Sequence, residues 1–138
     1  MMAVISELIR AESNGTISFG DYTRNEKTKL DNFVQDNNCY KVKTCKDITK
    51  LENNDMFVYE SVPGTAVSNF DKKDDKVSFM VEGAEDAQIT LELEAESEYE
   101  VTINGKSTGN VKTNLGGKLS FGAGLEGGEA ISVVIVKK

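Results

Sequence analysis

From residue 64 onward the chain alternates apolar and polar residues with a period of two and almost nowhere with the period of a helix. Val77, Phe79 and Val81 share a face, as do Ile89, Leu91 and Leu93, then Tyr99, Val101 and Ile103, then Leu119 and Phe121, and finally Ile131, Val133 and Ile135. Each set is the inner side of a half-buried strand. Turn signals separate them at Asp74-Asp75, Gly83 to Asp86, Asn104-Gly105, Asn114 to Gly117 and Gly122 to Gly128. With Thr65 to Phe70 and Thr108 to Thr113 added, about seven short strands follow one another at roughly 8 to 12 residue spacing. That is the signature of a sandwich or barrel.

The first half is also β-rich. Asn14-Gly15 predicts a type I′ hairpin between Val4 to Glu12 and Thr16 to Gly20, because both residue types accept positive φ. Asn14-Gly15-Thr16 also fits the N-glycosylation pattern, but with no translocation signal it reads as the turn. Leu30 to Gln35, Cys39 to Thr44 and Met56 to Val62 are further strands, with Asp36-Asn37-Asn38 and Asn53-Asn54-Asp55 as turns. Ile48 and Leu51, three apart, predict a short helix over Lys46 to Glu52. Val62-Pro63-Gly64 holds the only proline and marks a joint, giving an expected N-terminal β-rich region over residues 1–62 and a C-terminal sandwich over 63–138.

The charge balance narrows function. The 138 residues carry 16 basic and 23 acidic groups, a net charge of -7, with Arg10 and Arg24 the only arginines. Clustered cations that could neutralise phosphates are missing, so no nucleic-acid partner is expected. The chain has no histidine and no tryptophan, which removes the Ser-His-Asp, Cys-His and His-metal arrangements. No cofactor or metal is expected. Ser6 and Glu7 interrupt the apolar start that a secretory signal needs, and no run approaches the roughly 18 apolar residues of a membrane span. The expected compartment is the cytoplasm. Two cysteines agree with it: Cys39 and Cys45, on one continuous strand, would lie about 20 Å apart, beyond disulfide reach. Their spacing puts them on the face of Lys41 and Lys43, whose ammonium groups would favour thiolates.

Other motifs read as surface. Glu92, Glu94, Glu96, Glu98 and Glu100 alternate through two strands and their turn, on the face opposite Leu91, Tyr99 and Val101. Asp71, Asp74 and Asp75 alternate with lysines and lack the frame of a calcium loop, so they mark a charged hairpin tip. Gly105-Lys106 and Gly117-Lys118 lack the earlier glycine of a phosphate loop and are hairpin turns.

Leu93 through Ile103, a leucine followed after six residues by Tyr99-x-Val101-x-Ile103, resembles the strand-turn-strand of fibronectin type III and related immunoglobulin-like domains. There the tyrosine hydroxyl returns to upstream backbone. That resemblance implies a Greek-key, immunoglobulin-like β-sandwich in an all-β chain. A second likeness runs along nearly the whole chain. Ile5 to Arg10, Gly15 to Tyr22, Tyr40 to Thr44, Met56 to Thr65 and Lys112 to Leu119 resemble a family of small proteins of clostridia and related anaerobes, often labelled "endosialidase". Sialidases grip the sialate carboxylate with three arginines and repeat Asp-box turns on a propeller, whereas this chain has two arginines and no Asp box. The resemblance therefore implies a tail-associated or chaperone-like segment.

The expected function is a non-catalytic structural, assembly or protein-binding module, a homo-oligomer or a component with a protein partner, because edge strands of such folds need cover. The alternative is a carbohydrate-binding module, with Tyr22, Tyr40 and Tyr59 as a stacking surface. A further alternative, a carbohydrate-active enzyme as the family label suggests, would need a carboxylate pair about 5 to 9.5 Å apart or an activated Cys39 or Cys45, and no spacing singles one out.

Overall fold

A computed structural model of the chain describes residues 5, 7–35, 37–73, 75–125 and 129–138. These form thirteen strands. β1 (Ile9–Ala11) and β2 (Ile17–Phe19) make the opening hairpin, and β3 (Thr28–Gln35), β4 (Asn38–Thr44), β5 (Thr49–Asn53) and β6 (Met56–Val62) a meander. After the proline joint come β7 (Ala66–Lys72), β8 (Lys76–Glu82), β9 (Ala87–Glu92), β10 (Glu98–Ile103), β11 (Lys106–Lys112), β12 (Lys118–Ala123) and β13 (Ile131–Lys137). The expected C-terminal strands are all present. No helix among the described residues is long and apolar enough to cross a membrane.

Two antiparallel sheets contain all thirteen strands. The seven-stranded sheet runs β1-β2-β7-β8-β13-β10-β11, and the six-stranded sheet runs β12-β9-β6-β5-β4-β3. Strands from both sides of the Val62-Pro63 joint enter both sheets, since β2 pairs with β7 and β6 pairs with β9. Inward residues from both sheets join one cluster of buried side chains. Phe19 of one sheet meets Tyr59 of the other edge to face at 5.3 Å, with Phe70 and Phe79 completing an aromatic group. Such pairs each add about 0.5 to 1.5 kcal/mol beyond the area they bury.

The expected helix over Lys46 to Glu52 is corrected to strand β5. Thr49 and Leu51 are fully buried while Lys50 and Glu52 are half-exposed, so the stretch has a period of two once Thr49 is counted as an inward residue. The opening turn also differs. Gly15 adopts φ 88° while Asn14 stays at negative φ, and the Gly15 N–H donates to Glu12 O at 3.1 Å. This is a type I turn followed by a left-handed glycine, not a type I′ pair. Type I′ geometry appears instead at Asn54-Asp55 and at Asn104-Gly105, where both residues have positive φ. The expected Val4 to Glu12 strand is described only as Ile9–Ala11, and Val4, Ser6, Asp36, Asp74 and the Gly127-Gly128 part of the last turn lie outside the described residues.

A buried set of hydroxyl groups ties the joint to the six-stranded sheet. The Thr49 hydroxyl donates to Thr65 O at 2.8 Å and accepts from the Thr65 N–H at 3.0 Å. With its one proton so used, it must also accept from the Thr44 hydroxyl at 2.8 Å, and Thr44 in turn accepts from the Asp21 N–H at 3.0 Å. Tyr59 and Ser61 each reach the Thr65 hydroxyl at 2.8 Å. Buried hydroxyls cost stability unless satisfied, and here each finds a partner.

Candidate functional site

The three tyrosines expected to form a stacking surface are not brought together. Tyr59 has no exposed surface, and Tyr22 is buried with its hydroxyl donating to Glu82 Oε2 at 2.8 Å. Neither ring face meets solvent, which corrects the expectation of exposure for both. The physical reason is register: Tyr59 shares the inward row of Val42, Leu51, Leu91 and Leu119. Tyr40 alone of the three lines an open cleft.

That cleft, about 550 Å³, lies where β4, β5 and β6 approach the ends of β2 and β7. Tyr40, Met56 and Val58 supply apolar surface, and Asn38, Asn53 and Asn54 supply amides. The Asn53 amide nitrogen donates to Asn38 Oδ1 at 3.0 Å, while its buried Oδ1 accepts no hydrogen bond. A bulge in β6 sets Phe57 opposite Glu52 and turns its ring to the outer face, away from the row of Tyr40 and Asn53. The Lys118 ammonium lies 4.5 Å from the Phe57 ring centroid and 2.6 Å from Glu92. Such an arrangement can hold a polar, uncharged ligand by stacking and by donation to Asn53. Asn53 and Phe57 were missed from the sequence. Asn53 reads there as a turn residue, and Phe57 only as one member of the Met56 to Val62 strand.

The charged motifs find partners at the surface. Glu94 accepts from Lys137, and Glu100 accepts from Lys138 at 3.3 Å and from the Ser107 hydroxyl at 2.7 Å. The Ser107 bond, followed by the Lys138 ammonium, holds the Glu100 carboxyl below the usual range, and the bond to Glu94 raises Lys137. No group of three or more His, Cys, Asp or Glu side chains among the described residues could hold a metal ion. Asp71 pairs with Lys73 at 2.9 Å. Cys39 lies in β4 and is half-buried, whereas Cys45 lies just past it and is buried, so Cys45 leaves the face of Lys41 and Lys43. Both thiols are free.

Burial pushes the Tyr22 phenol above its ordinary range, helped by the Glu82 carboxylate, and burial alone pushes Tyr59 up. The folded protein thus keeps two protons that the unfolded chain releases near pH 10, so stability is unaffected below about pH 10 and falls as pH rises beyond it. In a titration followed by phenolate absorbance, these two tyrosines are expected to ionise only as the circular dichroism of the sheets is lost. Tyr22→Phe and Tyr59→Phe should each remove one late-ionising phenol. An early, reversible titration of all four tyrosines in folded protein would contradict the burial.

No protein-family model, curated protein or solved structure matches this chain.

Proposed function

We propose that this chain is a non-catalytic module that works by assembling with protein chains in the cytoplasm, built as a Greek-key, immunoglobulin-like sandwich. The observation that carries the reading is the end of the six-stranded sheet. β12 pairs with β9 through all six of its residues without a register shift, and among the described residues no strand lies beyond it. A regular edge of this kind is a template for another strand, and monomeric proteins usually blunt it. The Greek-key reading is supported by β13, the last strand, which returns to lie between β8 and β10. Tyr99 supports the immunoglobulin likeness, since its hydroxyl accepts from the Glu94 N–H at 3.2 Å, five residues upstream. A tail-associated or chaperone-like role fits a module of this kind. Light scattering at several protein concentrations, with and without reductant, is expected to give a closed oligomer whose mass is a fixed multiple of 15.1 kDa. A single-chain mass throughout would contradict self-assembly.

The cleft at Tyr40 favours a second reading, a carbohydrate-binding module, because an aromatic ring beside amide groups is the chemistry that recognises sugars. Retention on polysaccharide that is lost in Tyr40→Ala supports it. No retention at millimolar sugar removes it.

A further inference from the structure

We propose that β12 is the docking edge for a second copy of this chain, the two β12 strands pairing antiparallel about a two-fold axis at Phe121. The two six-stranded sheets then continue into one. This rests on the assembly reading above and names its partner and register.

Three of the four sheet edges are protected. β1 is only three residues long. β3 is broken by a register shift between Leu30 and Phe33, with Asn32 at φ 62°. β11 faces a register shift in β10, carries Gly109 at φ 110°, and has a lysine at each end. Self-pairing centred on Gly109 would set Lys106 against Lys112, like charge against like charge. β12 has no shift, no proline, and Lys118 as its only charge.

The hydrogen bonds at the start of β12 fix which backbone groups point outward. Gly117 O accepts from the Leu93 N–H at 2.7 Å, on the β9 side. The Lys118 N–H donates to Asn114 Oδ1 at 2.9 Å, and Lys118 O accepts from the Asn114 N–H at 3.2 Å, on the other side. Antiparallel alternation then turns the groups of Leu119, Phe121 and Ala123 toward β9 and those of Ser120 and Gly122 away from it. Asn114 therefore caps one end of the edge and leaves the backbone groups of Ser120 and Gly122 without a strand partner among the described residues. Only a register with Phe121 opposite Phe121 lets Ser120 of each copy exchange both hydrogen bonds with Gly122 of the other. Centring on Ser120 would set Gly122 against the capped Lys118.

Side chains agree with this register on both faces. On the core side Phe121 meets Phe121 and Leu119 meets Ala123, all three of them buried residues. On the outer side Ser120 lies beside Gly122, and Lys118 beside Gly124. Gly122 and Gly124 border an open hollow of about 330 Å³ with Asp86 and Gln88. A Cβ on Gly124 would lie 3.9 Å from Asp86 Oδ1. These glycines leave the outer face of the edge flat for the approach of a second strand, and Lys118 stays turned over its own sheet, its ammonium 2.6 Å from Glu92 and 4.5 Å from the Phe57 ring centroid.

Light scattering of wild type, Gly122→Pro and Ser120→Pro, with amide exchange of Ser120 and Gly122 in wild type, tests this. Proline at either position removes an outward N–H and no bond to β9, so in each variant the mass should fall by half with the sheet circular dichroism kept. In wild type the Ser120 and Gly122 amides should be protected at high concentration and exchange freely on dilution. Exchange in wild type decides the matter if Gly122→Pro fails to fold. A dimer that survives both variants, with both amides exchanging freely, overturns this edge and leaves self-assembly standing. A monomeric wild type overturns both.

Discussion

Replacing Tyr59 with alanine is expected to lower the free energy of unfolding by about 3 to 5 kcal/mol, the cost of emptying a large aromatic site in a closed core. Its ring touches Phe19, Phe70 and Phe79 at centroid distances of 5.3, 6.3 and 5.9 Å, so truncation removes the aromatic contacts between the two sheets. It also removes the hydroxyl that meets Thr65. Tyr59→Phe keeps the ring packing and loses only that hydrogen bond, which is worth about 1 kcal/mol. Urea denaturation of the two variants separates the contributions. A cost for Tyr59→Ala no larger than that for Tyr59→Phe would mean that the aromatic group does not hold the sheets together.

Gly64→Ala should be as damaging by a different route. A Cβ at Gly64 would lie 1.9 Å from the Cys45 carbonyl oxygen, far inside any real contact. That carbonyl cannot simply move aside. The Cys45 N–H donates to Ile48 O at 2.8 Å, the Lys46 N–H to Arg24 O at 2.8 Å, and the Gly64 N–H to Lys46 O at 3.0 Å. Relief requires the joint to shift, and Thr65, the hub of the buried hydroxyls, shifts with it. The expected loss is about 3 kcal/mol or more, at or beyond the upper end of ordinary overpacking. Gly116→Ala is the contrast, since its Cβ would meet nothing nearer than 3.5 Å. Thermal unfolding of the two side by side should show a large drop for the first and a change within about 0.5 kcal/mol for the second. Equal melting temperatures would contradict the close approach at Gly64.

The strands were legible because apolar residues mark one face of each. Val77, Phe79 and Val81 are all buried in β8, and Ile131, Val133 and Ile135 in β13. The reading failed where polar residues point inward. Thr44, Thr49, Thr65 and Ser61 are fully buried, yet a hydroxyl carries no mark of the partner that will satisfy it. With Thr49 carrying no apolar mark, the alternation of β5 stays hidden and Ile48 and Leu51, three apart, suggest a helix. Aromatics misled for the opposite reason. A tyrosine is as suited to a core as to a binding face, and only long-range register decides that Tyr59 turns in while Tyr40 borders a cleft. Nothing in the run Lys118 to Ala123 distinguishes an edge strand from a central one, because position in a sheet is set by the other strands.

Isotope-filtered NMR on a mixture of labelled and unlabelled chains tests self-pairing at β12 most directly. The account predicts intermolecular contacts between Ser120 and Gly122 and between the two Phe121 rings. A sample of dimeric mass with no contact across β12, or one that stays at 15.1 kDa, would contradict it.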